Sequence, residues 1–289
     1  MTLLYFQRGK IMYKKLLFTV FLSLFMVLLV ACGGSDSTSS EESANDEETS
    51  SEEATNDEET TEKEVYTVAT DNGYVPFEFI DEETGELVGF DIDLMNALAE
   101  EAGIEIEYET LEFDGIVAGI SSGRFDIAIA GMTITEERQE SIDFTQPYYE
   151  AGLILAVRDD NEEIKSIEDV DGKVVATRTG STSETYLKEH TDAIPEAFPQ
   201  IIEGYQNVLA GRADAVLYDL PNVLFYSEQE AEGRLKTVGE KLTGEEYGIA
   251  FPKGSELRDV IDEALTTLKE NGTYDDIYEK WFGERPEGT

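Results

Sequence analysis

The chain has 289 residues, of which 64 are acidic and 21 are basic, and its formal net charge at pH 7 is −43. Such an acidic surface repels the phosphate backbone, which excludes nucleic-acid binding as a function. A single cysteine excludes an intramolecular disulfide, and a hydrophobic content of 40% suffices for one large domain or two of ordinary size.

The amino terminus has the pattern of a secretory signal peptide. Lys14 and Lys15 form a short basic segment before the apolar run at residues 16–30, which is shorter than the roughly 20 residues of a membrane-spanning helix. We therefore predict a signal peptide over residues 1–31. Met12 is a more natural start than the first residue, because it leaves a compact basic segment.

The next segment predicts a tether. The signal ends in Leu-Val-Ala-Cys, which resembles the lipobox of bacterial lipoproteins, so we expect Cys32 to carry a lipid. Residues 32–64 contain 13 acidic residues and no aromatic or branched aliphatic side chain, and such a segment cannot offset the entropy of ordering. They predict a disordered linker that holds a folded domain off the extracellular face of the cell membrane, in a Gram-positive bacterium.

From Val65 onward, strand-like and helix-like segments alternate. Predicted strands cover residues 65–70, 104–111, 124–131, 153–157, 173–177, 213–218 and 247–251. Predicted helices cover a segment from an N-cap at Asp91 to a stop at Gly103, and residues 116–123, 206–211, 256–270 and 274–282. This alternation indicates an α/β fold with a largely parallel sheet.

Polar residues lie at four predicted strand ends. These ends are Thr70-Asp71, Gly131-Met132-Thr133, the segment Thr177 to Thr182, and Tyr218-Asp219. In open parallel sheets, ligands bind at the carboxyl ends of the strands, near the amino termini of helices. The four ends are therefore candidates for one binding site.

Arg138 lies in the first turn of a predicted helix that Thr135 can cap. Glu136 and Glu137 suit the positive end of a helix dipole, and a cation does not. Arg138 is reasonable there if it shares an anion with the exposed N–H groups, because a guanidinium binds a carboxylate through two hydrogen bonds. The alternative is a solvated side chain paired with Glu137 or Glu140, and the residues alone leave both open.

Six blocks of sequence carry a resemblance to a known family. They are VATDNGYVPFEF (68–79), LVGFDIDLMNALA (87–99), AGMTITEERQESIDFTQPYY (130–149), RADAVLYDLPN (212–222), YGIAFPKGS (247–255) and LKENGTYDDIYEKWFG (268–283). In this order they resemble the polar amino-acid-binding proteins of bacterial ABC import systems, solute-binding protein family 3, and among them the glutamine-binding proteins. The resemblance extends from Val65 to Glu284 and so covers the whole predicted folded region.

The resemblance implies a two-lobed α/β fold, the type II periplasmic-binding-protein fold, with two hinge strands and the ligand in the cleft between the lobes. Lobe one would comprise residues 65–152 and 248–289, and lobe two residues 153–247. The chain would cross between the lobes near residues 149–155 and 245–251. Such a fold closes around its ligand by hinge motion.

The resemblance also implies a set of ligand contacts. This set is Asp71, Tyr74, Phe113, Gly131, Met132, Thr133, Arg138, Arg178, Ser181, Thr182 and Asp219. In the family pattern, Arg138 would bind the α-carboxylate of an amino acid with the N–H groups near Thr133 and residues 181–182. Asp219 would bind the α-ammonium, with the carbonyl of Gly131 and the Thr133 hydroxyl. Each end of the zwitterion would then have a partner, which its burial requires.

Four further residues would contact the rest of the ligand. Tyr74 and Phe113 would enclose the aliphatic stem, although both also suit ordinary core packing. Asp71 can accept from an amide NH2 group and Arg178 can donate to its carbonyl, so glutamine satisfies both. This chain departs from the glutamine-binding pattern, because an arginine replaces a lysine at 178, a tyrosine replaces a histidine at 218, and residues 181–183 resemble relatives that take basic amino acids. Glutamate, a basic amino acid and cystine therefore stay open as ligands.

The implied function is capture of a polar L-amino acid, most simply glutamine, and its delivery to the permease and ATPase subunits of an ABC importer. We expect a lipid-anchored monomer that needs no metal or cofactor and catalyses no reaction. An enzyme of the arogenate or prephenate dehydratase type on the same scaffold is the alternative, and a sensor acting through a partner receptor is a third.

Overall fold

The computed structural model describes residues 65–286. The predicted signal peptide, the start at Met12, the lipidation site at Cys32 and the acidic linker lie outside the described residues, so those predictions stay predictions. Between residues 65 and 286, none of the helices has the length and apolar character needed to span a bilayer.

The strands are short, as is usual for alternating α/β segments. In chain order they are β1 (Val65–Thr70), β2 (Gly73–Tyr74), β3 (Glu78–Ile80), β4 (Leu87–Val88), β5 (Glu105–Thr110), β6 (Ile127–Ala128), β7 (Ile142–Phe144), β8 (Tyr149–Ala151), β9 (Leu153–Arg158), β10 (Val174–Arg178), β11 (Ile194–Phe198), β12 (Ala215–Asp219), β13 (Leu235–Val238), β14 (Glu245–Tyr247) and β15 (Ala250–Pro252).

Helices connect these strands. They are α1 (Phe90–Ala102), α2 (Phe113–Ser121), α3 (Glu136–Gln139), α4 (Thr182–His190), α5 (Ile201–Leu209), α6 (Leu220–Phe225), α7 (Leu257–Asn271) and α8 (Thr273–Phe282). A 3₁₀ turn covers Ile167–Asp169, and a π-helical segment covers Tyr226–Glu230.

Two five-stranded sheets form the framework. The first has the order β5-β1-β6-β15-β7 and the second the order β11-β10-β12-β9-β13. In the first, β1 runs parallel to β5 and β6, and β15 runs antiparallel to β6 and β7. In the second, β10 runs parallel to β11 and β12, and β9 runs antiparallel to β12 and β13. We call the two sheets with their helices the first and second lobes.

The predicted largely parallel sheet is wrong in one respect, because each sheet is mixed. A parallel neighbour needs a long crossover connection, usually a helix. The chain instead enters β9 one residue after β8, and it enters β15 two residues after β14. Each of these strands is thus entered from outside its own sheet rather than through a helical crossover within it, and each runs antiparallel to its sheet neighbours.

Strands β8 and β14 connect the two lobes. They pair antiparallel, with Tyr149 opposite Tyr247 and Ala151 opposite Glu245. Strand β8 leads into the second sheet and β14 leads back into the first. We call this pair the hinge, and any side chain on it lies close to both lobes.

Apolar residues alternate along β9 and cover both faces of the second sheet. Leu153, Leu155 and Val157 pack in one core cluster, while Ile154 and Ala156 pack in another. This alternation follows from the two-residue period of a strand. Helices α4 and α5 cover the two faces, and both leave their amino termini near the carboxyl ends of β10 and β12.

The structure corrects one predicted helix start. The predicted N-cap at Asp91 is wrong, because the cap is Gly89, two residues earlier, and α1 begins at Phe90. The Asp91 carboxylate points inward, where it accepts hydrogen bonds from the Gly131 N–H at 2.9 Å and the Tyr148 hydroxyl at 2.8 Å. The predicted stop at Gly103 is confirmed by its left-handed conformation, with φ of 69°.

Candidate functional site

The four polar strand ends meet between the two lobes. Asp71 follows β1, and residues 131–133 follow β6 in the same sheet; Arg178 and Asp219 are the last residues of β10 and β12. A small cavity of about 10 Å³ lies between them. Its lining consists of Phe113, Ala130, Gly131, Thr133, Arg138, Ser181, Thr182, Tyr218 and Asp219. Seven of the eleven predicted contact residues line this cavity, and Asp71, Tyr74, Met132 and Arg178 lie next to it.

Asp71 and Arg178 form an ion pair across the cleft. Both are buried, with 0% and 1% of their side-chain surface exposed. The second oxygen of Asp71 accepts from the Gly73 N–H at 2.8 Å and from Gln200 Nε2 at 3.3 Å. The sequence predicts that an amide group bridges Asp71 and Arg178, but here the two side chains satisfy each other directly.

Arg178 is held in place by three further contacts. Its Nε donates to the carbonyl of Pro199 at 3.1 Å, and its Nη1 donates to the Tyr218 hydroxyl at 3.5 Å. Its guanidinium also lies 5.3 Å from the centre of the Phe113 ring, and the Arg138 guanidinium lies 5.2 Å from the same ring. Phe113 therefore lies between two cations, an arrangement in which both gain from the ring quadrupole.

Arg138 points into the cleft and contacts both lobes. Its Nη1 donates to the Thr133 carbonyl at 2.7 Å, and its Nη2 donates to the Gly180 carbonyl at 3.2 Å. No acidic side chain among residues 65–286 forms an ion pair with it. Burial lowers the pKa of Arg138, and the nearby carboxylates of Asp219 and Glu245 oppose that shift. This guanidinium is therefore a half-buried cation whose present partners are carbonyl oxygens.

The helix that carries Arg138 explains its orientation. Thr135 caps α3 as predicted, because its hydroxyl accepts from the Arg138 N–H at 3.1 Å. However, α3 has only four residues, so its dipole is weak and its cap takes up the N–H group of Arg138. An anion in the cleft would therefore contact the Arg138 guanidinium without also contacting the amino terminus of α3.

Asp219 is surrounded by hydroxyl donors. Tyr74 donates to its Oδ2 at 3.1 Å and Tyr247 donates to the same oxygen, while the two hydroxyls lie 2.6 Å apart. Burial raises the pKa of Asp219. The two tyrosine hydroxyls and the positive charges of Arg138 and Arg178 oppose this shift. Tyr74 thus acts through its hydroxyl, while its ring stacks on Phe77 at 5.1 Å. Tyr247 has no role in the site predicted from the sequence, although it opens one of the six family blocks.

Glu245 is a second residue of the site that could not be predicted from the sequence. It begins β14 and is buried, and its Oε2 accepts hydrogen bonds from the hydroxyls of Thr133 and Thr182, each at 3.2 Å. Burial raises the pKa of Glu245 to about 7, and Asp219 contributes to this increase. Acidic residues are so frequent in this chain that the sequence does not distinguish a glutamate of the site from one on the surface.

The remaining predicted residues have mainly backbone roles. The Ser181 hydroxyl caps α4 by accepting from the Glu184 N–H at 3.2 Å. Thr182 is the first residue of α4, where a helix leaves its N–H without an intrahelical partner. Gly131 has φ of 51° and contacts the Tyr74 ring so closely that a side chain would collide with it. Met132 lies in the core of the first lobe, so its side chain does not reach the cavity.

The chemistry of the cavity suits an ion with two charges of opposite sign. Arg138 lies on one side and contacts a carbonyl of each lobe, and Asp219 lies on the other and accepts from Tyr74 of the first lobe and Tyr247 of the hinge. Within residues 65–286, the structure contains no cluster of histidine, cysteine and carboxylate side chains that could hold a metal ion. The arrangement can bind and bury a small zwitterion.

Comparison with known proteins gives a family match. Residues 66–284 match the bacterial extracellular solute-binding proteins, family 3. The chain is 30% identical over 274 residues to the L-cystine-binding protein TcyA of Bacillus subtilis, covering 94% of this chain and 98% of that protein. It is 32% identical over 282 residues to the ABC transporter glutamine-binding protein GlnH of the same species, covering 94% and 99%.

Two solved structures are similar to the described fold. An ancestral arginine-binding protein bound to glutamine is 46% identical, with a TM-score of 0.72, and the match covers 76% of this chain and 98% of that one. The ancestral amino acid-binding protein AncCDT-1, a precursor of cyclohexadienyl dehydratase, is 41% identical, with a TM-score of 0.70 and coverage of 75% and 95%.

Proposed function

Because the chain belongs to the bacterial extracellular solute-binding proteins of family 3, we propose that it captures a polar L-amino acid, with glutamine as the favoured ligand, and delivers it to an ABC importer. The family and the type II fold predicted from the sequence are confirmed by the family match and by the similar structures. Amino-acid binding follows from the family, and the identity of the ligand is the proposal.

The separation of Arg138 from Asp219 in one buried cavity is the observation that carries this proposal. Arg138 now contacts two carbonyl oxygens, and a carboxylate is a stronger partner for a guanidinium than a carbonyl. An α-carboxylate would therefore displace these weaker contacts. The α-ammonium would bind Asp219, whose carboxylate accepts hydrogen bonds from two tyrosine hydroxyls.

The ligand side chain would insert between Asp71 and Arg178. The amide carbonyl of the ligand would accept from Arg178, and its NH2 group would donate to Asp71. These two hydrogen bonds would replace the direct contact, so neither charge is left unpaired. Glutamate would repel Asp71, and a basic side chain would repel Arg178. The relatives are named for cystine, glutamine and arginine, so these ligands and glutamate are the alternatives to test.

A dehydratase is the second candidate, and Glu245 is the observation that favours it. Such an enzyme needs a buried general acid facing the substrate, and Glu245 is a buried carboxyl with a pKa raised to about 7. AncCDT-1, a structural neighbour, is itself named as an amino acid-binding protein. Incubation with prephenate or arogenate, with the dehydrated product measured by chromatography, distinguishes the two candidates.

A ligand screen tests the proposed function. Thermal-shift measurements with glutamine, glutamate, arginine, histidine and cystine should give a raised melting temperature, since a ligand at 100 times its Kd adds about 2.7 kcal/mol to stability. Calorimetry then measures each Kd. Binding of none of the twenty amino acids would refute the proposal, and tighter binding of another amino acid would replace glutamine.

We also propose that the protein is a monomer anchored by a lipid on Cys32 and exported by residues 1–31. The lipobox resemblance and the acidic linker at residues 32–64 support this. The variant Cys32→Ala should appear in the culture medium instead of the membrane fraction, whereas an equal membrane share would contradict the anchor. Limited proteolysis should release a monomeric domain that begins near Val65.

A further inference from the structure

Glu245 contacts both lobes from the hinge. It lies opposite Ala151 in the β8–β14 pair, and only 9% of its surface is exposed. Thr133 belongs to the first lobe and Thr182 to the second, and both hydroxyls donate to the same carboxylate oxygen at 3.2 Å. Since both threonines line the cavity, Glu245 lies directly behind its wall.

The charged groups around Glu245 do not balance. Five ionisable side chains line the cavity or lie directly behind it, namely Asp71, Arg138, Arg178, Asp219 and Glu245. Two are guanidinium groups and three are carboxyl groups. If all five are ionised, the closed cleft holds one excess negative charge, which is costly to bury.

The groups on the outer side of Glu245 do not supply the missing cation. Glu245 shares a second, more open pocket with Glu150, Glu246 and Lys241. The Lys241 ammonium donates to the carbonyl of Ala151 at 3.3 Å, so it is held at the hinge backbone. Glu150 and Glu246 bring no positive charge to this side, and burial together with the Asp219 carboxylate raises the pKa of Glu245.

We propose that Glu245 selects ligands by charge, taking up a proton when the lobes close on a neutral amino acid and staying ionised when the ligand carries a cationic side chain. This inference rests on the proposed function, in which the cleft closes on an amino acid. A neutral zwitterion leaves the excess negative charge in place, so a proton must remove it. A cationic ligand removes it directly.

The proposal sets the direction of the pH dependence. In this structure burial raises the pKa of Glu245 to about 7, against about 4.3 for a solvated glutamate, and we expect opening of the cleft to return it toward that ordinary value. Closure on glutamine therefore binds a proton between these values, and the affinity falls by up to about tenfold per pH unit as the pH rises from 5 to 7. Above about pH 8 the affinity becomes constant. For arginine we expect a flat profile over the same range.

Calorimetry on the intact protein tests the proposal. Glutamine and arginine are titrated at pH 5.5, 6.5, 7.5 and 8.5, each in two buffers of different ionisation enthalpy, so that the number of protons taken up is measured directly. At pH 6.5 we expect uptake of most of one proton with glutamine and almost none with arginine.

Two variants identify the group that titrates. Glu245→Gln keeps an acceptor oxygen for both threonine hydroxyls, so closure is retained, while the proton uptake and the pH slope should be lost. The same variant should bind arginine at least tenfold more weakly than the wild type at pH 7.5, because the cleft then holds no excess negative charge. Glu246→Gln, an exposed neighbour on the same strand, is the matched control and should behave as the wild type.

The outcomes separate this inference from the proposed function. If Glu245→Gln takes up the same number of protons with glutamine as the wild type, another group titrates and the inference is wrong, although the protein still binds amino acids. If the wild type binds glutamine without proton uptake at every pH, the inference also fails. If it binds no amino acid at any pH, the proposed function fails, and the inference fails with it.

Discussion

Replacing Arg178 with methionine should weaken ligand binding far more than it destabilises the fold. Arg178 and Asp71 are both buried, and they belong to different lobes. Methionine keeps much of the side-chain volume but removes the charge, so Asp71 is left unpaired in the closed cleft. Removing one partner of a buried ion pair costs about 3–5 kcal/mol.

The protein can avoid most of this cost by opening. In the open cleft Asp71 is hydrated, so the penalty falls on closure rather than on folding. At 1.4 kcal/mol per factor of ten, we expect the Kd for the preferred ligand to rise by between about 10²-fold and about 4 × 10³-fold. The free energy of unfolding without ligand should change by at most about 1.5 kcal/mol, since Arg178 also loses its hydrogen bond to Pro199.

Calorimetry against glutamine, glutamate and arginine, combined with urea unfolding, measures both quantities. The ligand order should also change in favour of arginine, because the unpaired Asp71 attracts a cationic side chain. The matched control is Lys173→Met, which removes an ion pair to Glu163 that is 35% and 80% exposed. Solvent screens such an exposed pair, so this control should leave the Kd unchanged.

Two results would refute this reasoning. A Kd within threefold of the wild type would mean that Arg178 neither contacts the ligand nor balances the charge of Asp71 in the closed cleft. A loss of unfolding free energy equal to the loss of binding free energy would mean that the pair stabilises the fold rather than closure. Adding Asp71→Asn to Arg178→Met should restore about 1–3 kcal/mol of the free energy of closure, because no buried charge is then left without a partner.

Three further predictions concern other buried groups. Arg138→Ala should abolish binding in calorimetry. Arg138→Lys should retain only weak binding, because an ammonium cannot contact a carboxylate bidentately. Tight binding by the alanine variant would show that Arg138 does not belong to the site. Tyr247→Phe removes a donor to buried Asp219 and should weaken binding by about 10- to 100-fold, the equivalent of about 1.5–3 kcal/mol for a hydrogen bond to a charged group; an unchanged Kd would show that this hydroxyl is dispensable. Burial raises the pKa of Glu78 well above its ordinary value and that of Asp91 to about 6. Because both folded-state values are raised, the free energy of unfolding should fall as the pH rises through about 6, by at most about 1.4 kcal/mol per pH unit for each group. Glu78→Gln should flatten this decline in urea unfolding between pH 5 and 8, and a slope equal to that of the wild type would contradict it.

The convergence of the polar strand ends could be predicted because it depends on local patterns and one general rule. Apolar runs that end in Asp71, Gly131, Arg178 and Asp219 indicate strands, and carboxyl ends of parallel strands lie at one edge of a sheet. The cap at Thr135 is equally local, since its hydroxyl and the N–H it binds are three residues apart. The structure places all of these groups as the sequence predicts.

Strand direction and helix starts were less predictable. The sequence of β15 is that of any buried apolar strand. The direction of β15 depends on where the chain enters it from the hinge, and its composition does not show this. Asp91 has the residue type and position of an N-cap, yet donors from Gly131 and Tyr148 draw its carboxylate into the core. Both errors arise because contacts distant in sequence outweigh a local preference.

The sequence by itself determined which residues could serve a zwitterion and at which ends of which strands they lie. Only the tertiary structure decided their partners. It pairs Asp71 with Arg178, 107 residues away, turns Tyr74 and Tyr247 toward Asp219, and brings Glu245 into contact with both lobes. The physical reason is that the energy of a buried charge depends on the groups packed around it, and those groups are set by how two sheets approach each other across a hinge.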